Sequence, residues 1–91
     1  MISQIHIQVF GAVQGVCFRA YVRNIAVKLG LVGFVKNLPN GSVEVVAEGE
    51  KEKLEELLEF CYSGPSAASV SDIQFIRSES SKKFKKFEIR K

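Results

Sequence analysis

The chain opens on an alternation. Across residues 4–10, Ile5, Ile7 and Val9 fall on one side and His6, Gln8 and Phe10 on the other, the period-two pattern of a half-buried strand. Residues 11–18, Gly11-Ala12-Val13-Gln14-Gly15-Val16-Cys17-Phe18, break the pattern with two glycines. From Phe18 the period lengthens. Phe18, Val22, Ile25, Ala26 and Leu29 lie at helical spacing, and Gly30 follows as the residue that stops the helix. Residues 31–38 read as a second strand. Residues 42–48 read as a third, in which Val43, Val45 and Ala47 alternate with Glu44, Val46 and Glu48. Between them, Leu38-Pro39-Asn40-Gly41-Ser42 predicts a hairpin, because proline presets a turn and Asn-Gly supplies positive φ. A second helix is expected over residues 50–62, with Leu54, Leu57, Leu58 and Cys61 on one stripe, ending at Gly64-Pro65. Residues 70–77 predict a fourth strand carrying Val70, Ile73, Phe75 and Ile76. After a polar turn, Ser78 to Ser81, a fifth is expected around Phe84, Phe87 and Ile89.

The order β-α-β-β-α-β plus a closing strand makes two split βαβ units. The expected class is α+β: two layers, an antiparallel-dominated sheet with both helices on one face. The helical stripes need that face, so Ile5, Ile7 and Val9 must line it, and His6 is left on the open face as a structural residue. A right-handed crossover makes the first two strands parallel. Both then end at the same edge of the sheet. Asn37, at the end of the second, is expected about two strand spacings, roughly 10 Å, from the loop after the first.

Composition narrows the partners. Ninety-one residues suffice for one domain, residues 1–91, with one thin core. A hydrophobic share of 46% and a charged share of 25% are ordinary for a globular chain, and no stretch is apolar enough to span a membrane. Met1 to His6 has neither a basic patch nor an apolar run, so no signal peptide is expected and the default compartment is the cytoplasm. A net charge of +3 suits a small anion without demanding nucleic acid. Lys82, Lys83, Lys85 and Lys86 are expected on an edge strand, where lysines discourage edge-to-edge pairing. Cys17 and Cys61 lack metal-ligand spacing, and one histidine leaves no zinc set. They read as free thiols, buried or neutral, in a reducing compartment.

Candidate chemistry concentrates between residues 11 and 19, where a strand ends, a glycine loop follows and a helix begins. Such a junction leaves several backbone N–H groups aimed at one spot beside a helix N-terminus, a ready anion site. No Ser, Thr, Asp or Asn precedes the first turn, so the orphan donors have no usual cap. Arg19, in that turn, can add a bidentate, charge-assisted contact. The same residues also fit an ordinary strand-to-helix loop with a surface arginine, and Asn37 also fits a plain turn asparagine; spacing alone leaves both readings open. The loop is neither GxxxxGK[ST] nor GxGxxG. There is no nucleophile–base pair and no carboxylate cluster for magnesium. An acyl phosphate needs neither, because its carboxylate leaving group, with a pKa of about 4, departs without a general acid.

Two long motifs resemble the acylphosphatase family. The pattern G-x-V-Q-G-V-x-F-R stands as Gly11-Ala12-Val13-Gln14-Gly15-Val16-Cys17-Phe18-Arg19. The pattern G-[WF]-V-[RK]-N-x-x-[DN]-G-x-V-E stands as Gly33-Phe34-Val35-Lys36-Asn37-Leu38-Pro39-Asn40-Gly41-Ser42-Val43-Glu44. The similarity continues through Glu48-Gly49, Gly64-Pro65, Ala68-Ser69-Val70 and Phe87-Glu88-Ile89, over essentially the whole chain. The resemblance implies a ferredoxin-like two-layer sandwich and hydrolysis of acyl phosphates to a carboxylate and inorganic phosphate, without metal or organic cofactor. It implies that Arg19 binds the phosphoryl group and Asn37 orients the attacking water. It further implies that Gln14, Gly15, Val16, Cys17, Phe18 and Arg19 supply backbone N–H donors. Cys17 stands where the family often has glycine, and Arg23, one turn after Arg19, does not match the motif. The expected partners are a small acyl phosphate and inorganic phosphate, with the chain a monomer.

Two other classes fit parts of the pattern. One is a non-catalytic, anion-binding or regulatory module on the same scaffold. The other is RNA binding, since RNA-recognition domains share the element order and Gly33-Phe34-Val35 echoes one of their motifs. That motif belongs on the third strand, however, and residues 42–48 offer no aromatic platform, so no nucleic-acid partner is expected.

Overall fold

The computed structural model describes residues 2–91. Seven elements follow in chain order: β1 (Ile2–Ala12), α1 (Phe18–Lys28), β2 (Val32–Asn37), β3 (Val43–Glu50), α2 (Lys51–Ser63), β4 (Ser69–Glu79) and β5 (Phe87–Arg90). The strands form one sheet in the order β4-β1-β3-β2-β5. β1 pairs antiparallel with β3 and β4, β2 antiparallel with β3, and β2 parallel with β5. The chain is therefore an α+β, ferredoxin-like sandwich. β1 and β2 flank β3 and run parallel to each other, as the crossover requires.

One cluster forms the core. Ile5, Ile7 and Val9 of β1, Val35 of β2 and Val43, Val45 and Ala47 of β3 meet Phe18, Val22 and Ala26 of α1 and Leu54, Leu57, Leu58 and Cys61 of α2. Each aliphatic side chain buried this way contributes about 1.5–3 kcal/mol. The helical stripes and the strand alternation thus close on the same face. The open face is polar at β1 and β3. There His6 Nε2 lies 2.8 Å from Glu44 Oε2, and Gln8 donates to Ser42 Oγ at 2.9 Å. No helix among the described residues is long and apolar enough to cross a membrane.

Three expectations change. The Pro39–Gly41 turn takes positive φ at Gly41 alone (91°). It closes through Gly41 N–H on the Leu38 carbonyl at 3.1 Å, while Asn40 uses its side-chain oxygen to accept from Ser42 N–H at 3.0 Å. The fifth strand is short, and Phe84 and the lysine run lie outside it. The reason is topological. β4 and β5 occupy opposite edges, so their connection must pass β1, β3 and β2; the lysines ride that crossing and not an edge strand.

Glu48 is the third change. The strand alternation sends it to the open face, yet it is only 2% exposed. Its carboxylate accepts from Gln4 Nε2 at 2.6 Å, Ser80 Oγ at 2.9 Å, Ser81 N–H at 2.7 Å and Lys82 N–H at 3.3 Å. The carboxylate anchors the β4–β5 crossing to the sheet. Farther along, Phe84 packs on Phe34 with ring centroids 5.9 Å apart, and the Arg90 guanidinium lies 4.2 Å over the Phe34 ring.

Candidate active site

The site grows from the way β1 ends. Its ladder with β3 ends at Val9, and its register with β4 shifts between Phe10 and Gly11, leaving Ser71 of β4 as the extra, bulged residue, before that pairing ends at Ala12. In the loop that follows, Gly15 takes φ 72° and Cys17 takes φ 63°, ψ 21°. Left-handed residues two positions apart fold the backbone into a concavity lined by N–H groups. A side chain would meet nothing within 4 Å at Gly15, so φ and not space calls for glycine there. Cys17 adopts the same region with a Cβ, at about 1–2 kcal/mol.

Among the described residues, no backbone or side-chain acceptor takes up the amides of Gln14 through Ala20; the first bond of the turn is Tyr21 N–H to the Cys17 carbonyl at 3.0 Å. The Cys17 side chain caps nothing, and the first turn of α1 holds no acidic residue. The positive end of the helix dipole therefore faces the concavity unneutralised.

A cavity of about 160 Å³ opens here. Gly15, Cys17, Phe18, Arg19 and Ala20 line one side, Asn37 the other, and Val13 and Ile89 complete it. Of the six loop residues expected at the site, Gln14 and Val16 do not line the cavity; Val16 packs against the core. The structure brings Arg19 and Asn37 together although they come from different elements. Arg19 Nη1 donates to the Arg90 carbonyl at 3.4 Å. No carboxylate among the described residues pairs with it, so its charge stays available to an anion. The Asn37 Oδ1 is buried with no hydrogen-bond partner among the described residues. Leaving such an acceptor unpaired costs about 1–3 kcal/mol, so it is a place for a water or ligand donor. Arg23 is exposed and outside the cavity.

Sequence reasoning missed what the Gln14 side chain does. Its Nε2 donates to the Leu38 carbonyl at 2.8 Å and the Ser42 carbonyl at 2.9 Å, joining the loop to the β2–β3 hairpin. No local signal marks this contact, since its partners lie 24 and 28 residues away. The two thiols also divide. Both are free. Burial pushes the Cys61 thiol up to about 12. Cys17, expected to be buried or neutral, is exposed at the cavity wall, because Phe18 fills the core position at that turn.

A model of the acylphosphatase family matches residues 5–89. The chain belongs to the acylphosphatase family. The solved acylphosphatase of Bacillus subtilis superposes over all of both chains with a TM-score of 0.94 at 38% identity. An acylphosphatase of Vibrio cholerae is 48% identical over 81 residues, 89% of each chain. A full-length HypF, solved in a phosphate- and nucleotide-bound form, matches all of this chain with 12% of its own length, at a TM-score of 0.88 and 33% identity. The acylphosphatase fold thus occurs both at this length and inside a much larger protein.

Proposed function

We propose that this protein is an enzyme that hydrolyses small acyl phosphates to a carboxylate and inorganic phosphate, with Arg19 and Asn37 as its catalytic side chains. One observation carries the reading: a cavity of about 160 Å³ joins loop amides, the Arg19 guanidinium and the Asn37 oxygen, and those amides and that oxygen have no partner among the described residues. The phosphoryl group docks on the backbone N–H groups of the loop residues that line the cavity, Gly15, Cys17, Phe18 and Arg19. Arg19 neutralises its oxygens as charge builds in the transition state. Asn37 Oδ1 accepts a hydrogen bond from a water and holds it for in-line attack at phosphorus. The P–O bond to the acyl group breaks, the carboxylate leaves with the bonding pair, and the water proton passes to a phosphoryl oxygen. The reaction so written uses no metal or organic cofactor.

The cavity is smaller than the roughly 300–1,000 Å³ of sites that enclose a drug-sized ligand. It fits the phosphoryl end, with the acyl part directed to solvent, which favours breadth among small acyl groups. We read residues 1–91 as one domain acting as a cytoplasmic monomer, without a nucleic-acid partner.

Phosphate release from acetyl and benzoyl phosphate tests the assignment. Asn37→Ala should lower kcat by about 10²–10³ with an unchanged circular dichroism spectrum. Arg19→Ala should raise KM and lower kcat together. Wild-type turnover by Asn37→Ala would remove Asn37 from the mechanism. Phosphate binding without turnover of either substrate would favour a non-catalytic, anion-binding module on the same scaffold.

A further inference from the structure

Gln14 lies outside the cavity wall, yet its side chain reaches the hairpin that follows Asn37. Its Nε2 spends two donations on the carbonyls of Leu38, the residue after Asn37, and of Ser42, on the far side of the turn. Neither carbonyl depends on Gln14 for satisfaction. The Leu38 carbonyl already accepts from Gly41 N–H at 3.1 Å, and the Ser42 carbonyl from Leu38 N–H at 2.9 Å. The hairpin closes on its own bonds, and the Gln14 pair is additional. What that pair uniquely does is tie the anion loop to the end of β2.

The site is built from those two pieces. The loop amides and Arg19 come from the β1–α1 junction, and Asn37 comes from the last residue of β2. β3 lies between the two strands, so no ladder bond joins β1 to β2 directly. Among the described residues, the Gln14 side chain makes the only side-chain hydrogen bonds between residues 13–20 and the β2–β3 hairpin. A displacement of the hairpin by a fraction of an ångström would leave the cradle intact and move the Asn37 amide relative to a phosphoryl group held there.

We infer that Gln14 is a positioning residue that sets the distance between the phosphate cradle and the Asn37 amide, so that its loss lowers turnover while leaving phosphate binding in place. The inference rests on the reading of Asn37 given above, and its test separates the two. Gln14→Met keeps length and volume and removes both donors; Gln14→Leu is the second variant. Binding of inorganic phosphate is measured by calorimetry, and kcat is referred to the concentration of phosphate-binding sites, so that any unfolded fraction lowers the site count and not kcat.

The expected result is a 10- to 100-fold fall in kcat, the scale of a misplacement approaching 1 Å. KM and the phosphate dissociation constant should stay within about threefold, because the cradle and Arg19 are untouched. In an Asn37→Ala background the same substitution should cost less than about threefold, since no positioned amide remains to be displaced. An unchanged kcat, an equal loss with and without Asn37, or a parallel loss of phosphate binding would each overturn the inference. So would loss of the fold in both variants, which would make the two bonds a support of the fold and not of the site. If Asn37→Ala alone retains full activity, the fault lies with the assignment of Asn37, and the inference about Gln14 falls with it.

Discussion

Glu48 is the side chain whose removal the structure prices most directly. It is 2% exposed and takes four hydrogen bonds, two of them from the backbone of the β4–β5 crossing. Burial works against its charged form, but the bonds from Ser81, Gln4 and Ser80 outweigh burial and lower the carboxyl from 4.5 to about 2. A folded-state value below the unfolded one means that the ionised group stabilises the fold. That contribution is complete above pH 4.5, falls as pH drops, and is gone below about 2. At about 1.4 kcal/mol per pH unit the gap amounts to roughly 3 kcal/mol. Glu48→Gln keeps the shape, removes the charge, and turns an NH₂ group toward donors. Urea unfolding followed by circular dichroism should find it about 3 kcal/mol less stable than the wild type at pH 7. The difference should shrink steadily between pH 4.5 and 2 as the wild-type carboxyl protonates. A loss under 1 kcal/mol at pH 7, or a gap that does not narrow with acid, would refute this account of the crossing.

Two further predictions concern the thiols. A disulfide-exchange reagent should titrate one thiol in the native protein, Cys17, and two in denaturant, because Cys61 is buried and pushed up to about 12; two fast native thiols would contradict the packing of α2. Cys17→Gly should raise stability by about 1 kcal/mol, by relieving the left-handed strain of a residue at φ 63° whose side chain is exposed. A lower unfolding midpoint would show that the thiol makes a contact worth more than that strain.

Much of the site could be read in the chain because its parts are local. The glycine loop, the missing cap and Arg19 lie within one junction, and the topology rule that makes β1 and β2 parallel needs only the element order. It carried Asn37 to the right edge of the sheet, and both residues line the same cavity. The lysine run was misplaced for the opposite reason. Phe84 to Ile89 has strand-like spacing, but where a strand stops depends on which neighbour it pairs with, and β5 pairs only through Phe87–Arg90 beside β2.

Periodicity by itself determined which residues face inward, since the repeats of 2 and 3.6 are properties of the backbone. It therefore fixed the helical stripes, the strands Ile5–Val9 and Val43–Ala47, and hence the two-layer class. Tertiary structure alone decided which polar side chain meets which. Glu48 under the Ser80–Lys82 backbone and Gln14 on the hairpin carbonyls join residues far apart in the chain, and packing alone left the Asn37 oxygen without a partner among the described residues. A hydrogen bond is decided by distance and angle over a few tenths of an ångström. Those are set only when strand order, crossover path and packing have all been settled together.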